Sequence, residues 1–332
     1  MKTAFILLAA FSGLTLSGTE VRLRIVDENQ APLSDAQVLI AFTTPLIGGE
    51  KRFEGLSDSQ GFFSGSGKAI GSVFVRASKD GYYPARIERL PNDRDLDEIV
   101  VLPKISEPIP LLARLVGVGK RDVDGQPGGL QPDGEIIGFD FAMGEMVAPY
   151  GAGKVADILF KICNEFNGWK YSDVDLQELR QHPYNRGKSE VELRRQMGKW
   201  SAVLEITFPG EHEGLVEEQT HFLSYSLLKL PHHAPAGGYL PRWHYTASTY
   251  SPSTARTDVG FFIRTRVKLD KEGKIISANY AKVMGDFRLD ARNGGVGFTY
   301  YYNPTPNDRN LEFDPAKNLF PSTLSGTDVR YP

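Results

Sequence analysis

Residues 261–273 read Phe-Phe-Ile-Arg-Thr-Arg-Val-Lys-Leu-Asp-Lys-Glu-Gly, and this stretch decides the fold class. From Phe261 to Leu269, every second residue is apolar or small and most of the residues between them are basic. This period of two predicts a strand with one buried face. Asp270–Gly273 then has the composition of a tight turn, so we predict a hairpin that leads into a second strand beginning at Ile275.

The remaining sequence repeats this pattern of short apolar stretches separated by turn residues. The chain of 332 residues contains 34 glycines and 21 prolines, which is typical of sandwiches or barrels. Near the start, Val21, Leu23 and Ile25 alternate with Arg22 and Arg24. We therefore predict an all-β protein, with about seven short strands in the first part, a density typical of an Ig-like sandwich.

Further strands are predicted from the same pattern on both sides of residue 105. In the first part they are Ala36–Phe42, Gly61–Ser64, Ser72–Ser78, Pro84–Leu90 and Leu96–Leu102. In the second part they are Ala113–Gly119, Glu135–Ala142, Val155–Cys163, Ala202–Phe208, His221–Leu230, Arg242–Ser248, Gly260–Leu269, Ile275–Phe287 and Val296–Tyr302.

One short helix is also predicted. Ser189 and Glu192 have the spacing of a capping box, in which each side chain satisfies a backbone N–H group at the start of a helix. The polar residues 171–198 around it are interpreted as a surface insertion.

Four motifs in the first part resemble the carboxypeptidase regulatory-like, or transthyretin-like, domain. They are Val26-Asp27, Ala31–Val38, Ser57–Phe62 and Ala77–Tyr83. The last two are turns that contain a glycine, which adopts positive φ angles without steric penalty. The resemblance covers residues 20–103. It implies a transthyretin-like sandwich that serves as a scaffold or spacer and has no catalytic residues of its own.

Three strings in the second part resemble an exported bacterial domain that often follows a regulatory-like domain. They are Gly138–Phe141, Val147–Lys154 and Asn303–Asp314. The resemblance covers most of residues 105–320. That family is uncharacterised, so the resemblance implies no reaction.

The first residues have the order of a secretory signal peptide. Lys2 is followed by the apolar or small residues 4–16 and then by Ser17 and Gly18, where a signal peptidase could cut. We expect export to the periplasm or the extracellular space. No second long apolar stretch follows, so no transmembrane segment is predicted for the mature chain.

These features predict a chain in four parts. They are a signal peptide at 1–18, a regulatory-like sandwich at 19–103, a proline-rich linker at 104–110, and a larger β-rich, sandwich-like domain at 111–332 that contains the short helical insertion.

Charge and cysteine content narrow the function classes. The formal net charge of −3 gives no electrostatic case for a nucleic-acid partner, which requires a basic face. Cys163 is the only cysteine, so neither an internal disulfide nor a zinc-thiolate cluster is possible. It lies in an apolar run and is interpreted as a buried strand thiol.

Five of the six histidines are His212, His221, His232, His233 and His244. Glutamates lie among them, and imidazole with carboxylate suits zinc. The spacing nevertheless matches no zinc motif, so surface-loop histidines are the favoured interpretation and these residues are only weak candidates for a metal site. No cofactor is predicted.

Two other segments have both a functional and a structural interpretation. The glycines and lysine of Val147–Lys154 lack the spacing of a phosphate loop and favour a tight turn. Asn303–Asn318 is rich in Asn and Asp, whose oxygens suit calcium but also form local Asx-turns along a loop.

The candidate ligand-binding residues are Trp243, Tyr245, Tyr300 and Tyr302, which would form an exposed aromatic surface for sugars or peptides. The alternative is that these rings fill the core. Arg242 and His244 alternate with the first pair, and burying Arg242 unpaired would cost several kcal/mol, on the order of the penalty for a buried polar group. That argument favours the core.

Two functions remain open from sequence. The favoured one is an exported, non-catalytic binding or structural protein of the cell envelope, with an envelope polysaccharide or a protein as partner. The alternative is a secreted hydrolase of envelope polymers, assisted by a metal bound between His212 and His244.

Overall fold

The computed structural model describes residues 18–44, 49–67, 72–90, 95–121, 127–129, 135–170, 180–220, 226–251, 256 and 258–332. The predicted signal peptide therefore lies almost wholly outside the described residues. The protein is all-β and forms two compact units. One unit holds the described residues up to Ile105 with Ser226 and Leu227, and the other holds the rest. In the described ranges, no helix is long and apolar enough to cross a membrane.

The first unit is a sandwich of two antiparallel or mixed sheets. Its strands are β1 (Thr19–Val26), β2 (Gln37–Thr44), β3 (Gly49–Leu56), β4 (Phe62–Gly67), β5 (Val73–Ser78), β6 (Ala85–Arg89) and β7 (Leu96–Val101). One sheet has the order β4-β1-β7 and the other β3-β2-β5-β6. Strand β1 is antiparallel to β4 and parallel to β7.

The alternation in β1 places its apolar side chains in the core of this unit. Val21, Leu23 and Ile25 are buried against side chains of the second sheet, while Arg22 and Arg24 face outward. The turn before β4 is also as expected, because Asp58 accepts hydrogen bonds from the N–H groups of Gln60 and Phe62 at 2.8 Å each.

The second unit contains the remaining strands and the helix. They are β8 (Leu112–Val118), β9 (Lys120–Arg121), β10 (Pro127–Gly129), β11 (Ile136–Asp140), β12 (Glu145–Met146), β13 (Ile158–Trp169), α1 (Glu190–Met197), β14 (Gly198–Thr207), β15 (Gly214–Gln219), β16 (Arg242–Ser248), β17 (Val259–Leu269), β18 (Ile275–Asp290) and β19 (Gly295–Asn303). Short 3-10 turns occur at Pro183–Asn185 and Pro315–Lys317.

Two five-stranded sheets organise this unit, with the orders β12-β11-β13-β14-β16 and β15-β17-β18-β19-β8. Their facing sides share one apolar core that includes Phe139, Phe160, Phe261, Phe287 and Phe298. Layered packing of this kind is the standard way for a sheet to bury its apolar face.

The predicted hairpin joins β17 to β18. Asp270 N–H donates to Lys274 O at 2.9 Å, and the Asp270 carboxylate accepts from the N–H groups of Glu272 and Lys274. Gly273 has a φ of 79°, which explains the glycine at that position. The capping box of α1 is present as well, since Ser189 N–H donates to Glu192 at 2.6 Å and Glu192 N–H donates to Ser189 Oγ at 3.2 Å.

The outer face of the second sheet is buried too. Phe262, Tyr280 and Tyr301 project from this face and pack under residues of the C-terminal loops, including Leu311 and Phe313. The alternation in residues 261–269 predicts a strand with one buried face. Phe262 is nevertheless buried on the face opposite to Phe261, so both faces of β17 are buried at this point.

Several sequence-based details differ from the structure. Cys163 is only partly buried, because it shares the outward side of β13 with Lys161. The polar strands β3 and β15 were not predicted. Of the predicted strand at 221–230, the first five residues lie outside the described residues, and the others belong to no named strand.

The predicted linker is hydrogen-bonded at both ends. Ile105 N–H donates to Gly81 O in the first unit at 2.8 Å, and Ile109 N–H donates to Glu312 O in the second unit at 2.8 Å. The division between the two units falls between Ile105 and Ser106.

Candidate functional site

Two of the four candidate aromatic residues lie inside the second unit. Tyr300 and Tyr302 are 0 % and 1 % exposed, and their rings pack around Phe141. Tyr300 also donates a hydrogen bond to Phe141 O at 2.9 Å. Tyr300 and Tyr302 are therefore not part of an exposed aromatic surface.

Trp243 and Tyr245 lie side by side on the edge strand β16. Their rings are stacked with centroids 5.8 Å apart and planes 11° apart. Both are partly buried, and Trp243 contacts the rings of Phe261 and Phe287 in the core. Arg242 and His244 face outward. The pair is thus mainly a packing element, with only part of its surface open to a ligand.

The candidate histidines are not brought together. His212 lies beside Glu211 with nitrogen and oxygen 3.7 Å apart, whereas His232 lies 3.0 Å from the carboxylate of Glu312. His233 and His244 are exposed, and His221 lies outside the described residues. No group of three His, Cys, Asp or Glu residues that could hold a metal ion occurs in the described part of the chain.

The glycine-rich string at 147–154 is a compact turn beside β12. A Cβ atom at Gly153 would lie 2.8 Å from Glu145 O, and one at Gly151 would collide with Met146 O. Glycine is required here by close backbone approach rather than by a phosphate group. The oxygens of the loop at 303–318 are used locally, since Asn303, Asp308 and Asn310 each accept from the N–H two residues ahead.

A buried ion-pair network links Asp140 and Asp157 to Arg266 on β17. Arg266 donates to Asp157 at 2.7 and 2.9 Å and to Asp140 at 2.8 Å. Thr265 donates to Asp157 at 3.0 Å, and Phe141 N–H donates to the same carboxylate at 2.8 Å. Arg266 has a φ of 52° at an irregularity in the β17–β18 pairing, which turns its side chain toward both carboxylates.

The charges in this network support one another. Hydrogen bonding to Asp157 raises the pKa of Arg266 above its ordinary value. Burial raises the pKa of Asp157, and the bond to Arg266 opposes that shift. For Asp140 burial acts in the same way, but backbone N–H donors, led by Lys154 and Val155, outweigh it and lower the pKa. The network is therefore structural, because the carboxylates of Asp140 and Asp157 already accept hydrogen bonds from neighbouring groups.

A second buried cation, Lys282, has no such partners. Its side chain on β18 is 0 % exposed, and Nζ has no hydrogen-bond partner in the described residues. It lies 4.7 Å from the centroid of the Tyr301 ring. Burial lowers the pKa of Lys282 to about 7, while the nearby charge of Glu312 acts in the opposite direction.

An open concavity of the first unit lies on the outer face of the β4-β1-β7 sheet. This groove has a volume of about 770 Å³. Phe62 and Ile99 line it and are 50 % and 52 % exposed. Arg24 pairs with both residues across the sheet, with Phe62 on β4 and with Ile99 on β7. We refer to this surface as the β1 groove.

None of these three features, the ion-pair network, Lys282 and the β1 groove, is predicted as a site from the sequence. Arg22 and Arg24 were recognised as the outward face of a strand, but the apolar residues beside them belong to strands far along the chain. Asp157 could have been recognised from the sequence as a residue that needs a partner, because it lies between Ala156 and Ile158 at the start of a buried strand. A carboxylate in that position requires a partner.

Comparisons with known proteins give only weak likenesses. No family model matches the chain, and no curated protein matches it. Among solved structures it is similar to chlorocatechol 1,2-dioxygenase from Pseudomonas putida, at 11 % identity over 26 % of this chain and 60 % of that chain, with a TM-score of 0.22.

Two further solved structures give similar values. The Bacillus anthracis TIE protein matches at 16 % identity over 43 % of this chain and 28 % of that one, with a TM-score of 0.22. A streptococcal ancillary pilin matches at 14 % identity over 43 % of this chain and 52 % of that one, with a TM-score of 0.20. The chain thus spans less than two thirds of each of the three proteins, and these scores carry no argument about function.

Proposed function

We propose that this chain is an exported, non-catalytic binding protein of the cell envelope and that it binds its ligand in the β1 groove. The observation that supports this proposal is the pairing of two half-exposed apolar side chains, Phe62 and Ile99, on either side of Arg24. The groove volume of about 770 Å³ is in the usual range for ligand sites.

An envelope polysaccharide is the proposed partner. Sugar rings have apolar C–H faces that pack on aromatic and aliphatic side chains, and hydroxyl groups at their edges that exchange hydrogen bonds with polar side chains. The β1 groove offers both, because its second row consists of Ser64, Arg22 and Asp97. Export is supported by the order of residues 1–18, and an accessory role is supported by the resemblance of the first unit to regulatory-like domains.

Retention of the full chain on insoluble envelope polysaccharide tests the proposal. We expect the double variant Phe62→Ala/Ile99→Ala to bind at least about tenfold more weakly, because it loses both apolar contacts with the ligand. The melting temperature should change little, since both side chains are half exposed.

Leu56→Ala is the matched control. Leu56 is 58 % exposed and lies on β3 in the other sheet of the same unit. Its removal should leave retention unchanged. Undiminished retention of the double variant, or an equal loss with Leu56→Ala, would contradict the proposal.

A further inference from the structure

We infer that the β1 groove binds an acidic polysaccharide and that Arg24 pairs with the carboxylate of a uronic acid residue. This inference rests on the proposed function, and it names the class of ligand for the same groove.

The position of Arg24 is the first step. It lies on β1, the central strand of its sheet, directly between Phe62 and Ile99. Its guanidinium carbon lies 5.8 Å from the centroid of the Phe62 ring. An ion pair formed between two apolar side chains is less exposed to water than one on an open surface, and its attraction is correspondingly stronger.

The neighbouring charges of the groove are already engaged. Arg22 donates to Asp97 at 2.8 and 3.4 Å, and Glu98 accepts from Arg89 at 3.0 Å. The Asp58 carboxylate accepts two backbone N–H groups in its own turn. Arg24, in contrast, forms no ion pair with any residue in the described ranges. It is therefore the cation of the groove that is available to an anionic ligand.

The groups around Arg24 select among anions. A guanidinium donates two parallel hydrogen bonds to a carboxylate or to a phosphate, so the choice between these anions depends on the side chains beside Arg24. Phe62 and Ile99 favour a ligand whose anion is attached to an apolar surface, and a uronic acid pyranose presents its C–H face beside its carboxylate. A phosphate-linked polyol has no comparable face, so the row Phe62–Arg24–Ile99 favours the uronate.

The experiment measures binding of the full chain to polygalacturonate and to its fully methyl-esterified form, which has the same backbone without charge. We expect wild type to bind polygalacturonate at least about tenfold more tightly than the ester, as for the loss of one charge-assisted bidentate contact. Arg24→Gln should reduce binding of polygalacturonate to the level of the ester and leave binding of the ester unchanged.

Arg76→Gln is the control, because Arg76 is an exposed arginine on β5 in the other sheet and its replacement changes the net charge equally. Its binding of polygalacturonate should stay within about twofold of wild type, since long-range charge effects are screened by salt. Equal losses in the two variants would overturn the inference, because net charge alone would then account for binding.

Four further outcomes would also overturn it. If Arg24→Gln binds polygalacturonate as wild type does, or if the ester binds as tightly as the acid, the ligand class is wrong and the proposed function stands. Tighter binding of inorganic polyphosphate than of polygalacturonate would also show that the ligand class is wrong, while the proposed function stands. If the chain binds neither polygalacturonate nor any neutral polysaccharide, the proposed function fails with the inference.

Discussion

Arg266 and Lys282 are two basic residues of the second unit that lie in low-dielectric surroundings but have different interaction partners. Arg266 contacts two carboxylates, whereas Lys282 lies over a tyrosine ring without a hydrogen-bond partner in the described residues. Burial disfavours the charged form of both. The pKa of Arg266 is nevertheless raised and that of Lys282 is lowered to about 7. Hydrogen-bonded partners, more than depth, therefore decide whether a cation keeps its charge inside this protein.

The local backbone explains why only one of the two cations finds partners. Arg266 occupies an irregularity of β17, and its side chain is directed toward Asp140 and Asp157. Lys282 lies in a regular part of β18, opposite Phe262 on one side and Tyr301 on the other. Regular pairing leaves its amino group among aromatic side chains.

Removal of the central carboxylate should have the largest effect. Asp157→Ala leaves Arg266 with one of its two carboxylates and removes the acceptor for Phe141 N–H. Breaking a buried ion pair in this way costs about 3–5 kcal/mol of unfolding free energy. Urea unfolding would measure the loss.

Asp97→Ala provides the comparison on the surface. The side chains of its pair with Arg22 are 50 % and 70 % exposed, so the loss of this pair should cost far less stability than the loss of Asp157. Similar losses in the two variants would show that the buried network contributes no more than an exposed pair.

The second prediction concerns the pH dependence that Lys282 imposes. Its pKa is about 7 in the folded chain and 10.5 as a free side chain. Between these values the unfolded chain binds one more proton, so stability should rise with pH from about 7 to 10 and be unaffected by this group below 7. A shift of this size corresponds to a rise on the order of 4 kcal/mol.

Lys282→Met should abolish that rise and be more stable than wild type at pH 7, because methionine fills similar space without a charge. Urea unfolding at several values of pH between 7 and 10 would measure the slope. Lys268→Met, at an exposed position of β17, should keep the slope of wild type. A slope that persists in Lys282→Met would refute the assignment to this residue.

A smaller effect is expected from the change Arg266→Lys. Lysine keeps the charge but donates to fewer acceptors at once than the guanidinium, which contacts both Asp140 and Asp157. We expect a loss of about 1–3 kcal/mol, the range for hydrogen bonds to charged groups. Thermal unfolding would detect it.

Arg22→Lys serves as the exposed counterpart, and it should leave the melting temperature nearly unchanged, as is usual for surface substitutions. An unchanged melting temperature for Arg266→Lys would mean that charge alone, without the planar geometry of arginine, holds the network together.

The smallest effect should come from Glu312, whose charge raises the pKa of Lys282 against the effect of burial. Glu312→Gln should lower the midpoint of the Lys282 titration below that of wild type. NMR of the lysine ε-methylene group would measure it. Glu205→Gln, on the opposite sheet, should leave the midpoint unchanged, and a midpoint that rises in Glu312→Gln would reverse the sign of the interaction.

The parts of the fold that were predictable are those with local causes. The β17–β18 hairpin follows from Asp270 and Gly273, and the start of α1 follows from Ser189 and Glu192, since each pair is joined by hydrogen bonds within a few residues. The all-β class follows from the same kind of alternation repeated along the chain.

The parts that were missed depend on distant partners. Strand β15 contains Glu217 and Glu218 and is held by pairing with β17 rather than by an apolar pattern of its own. Lys282 has the sequence context of an ordinary strand, and its burial results from loops that follow β19. Asp157 and Arg266 are 109 residues apart, so nothing local joins them.

The central position of β1 has a consequence for the folding of the first unit. Its neighbours β4 and β7 end at Gly67 and Val101. The hydrogen bond from the Arg22 side chain on β1 to Asp97 on β7 joins residues that are 75 positions apart in the sequence. Contacts of such separation form slowly, and the parallel pair cannot form before β7 is available. A chain delivered from its N-terminus cannot complete this sheet until the whole unit has emerged. The sheet therefore closes only after the residues of β7, up to Val101, are available.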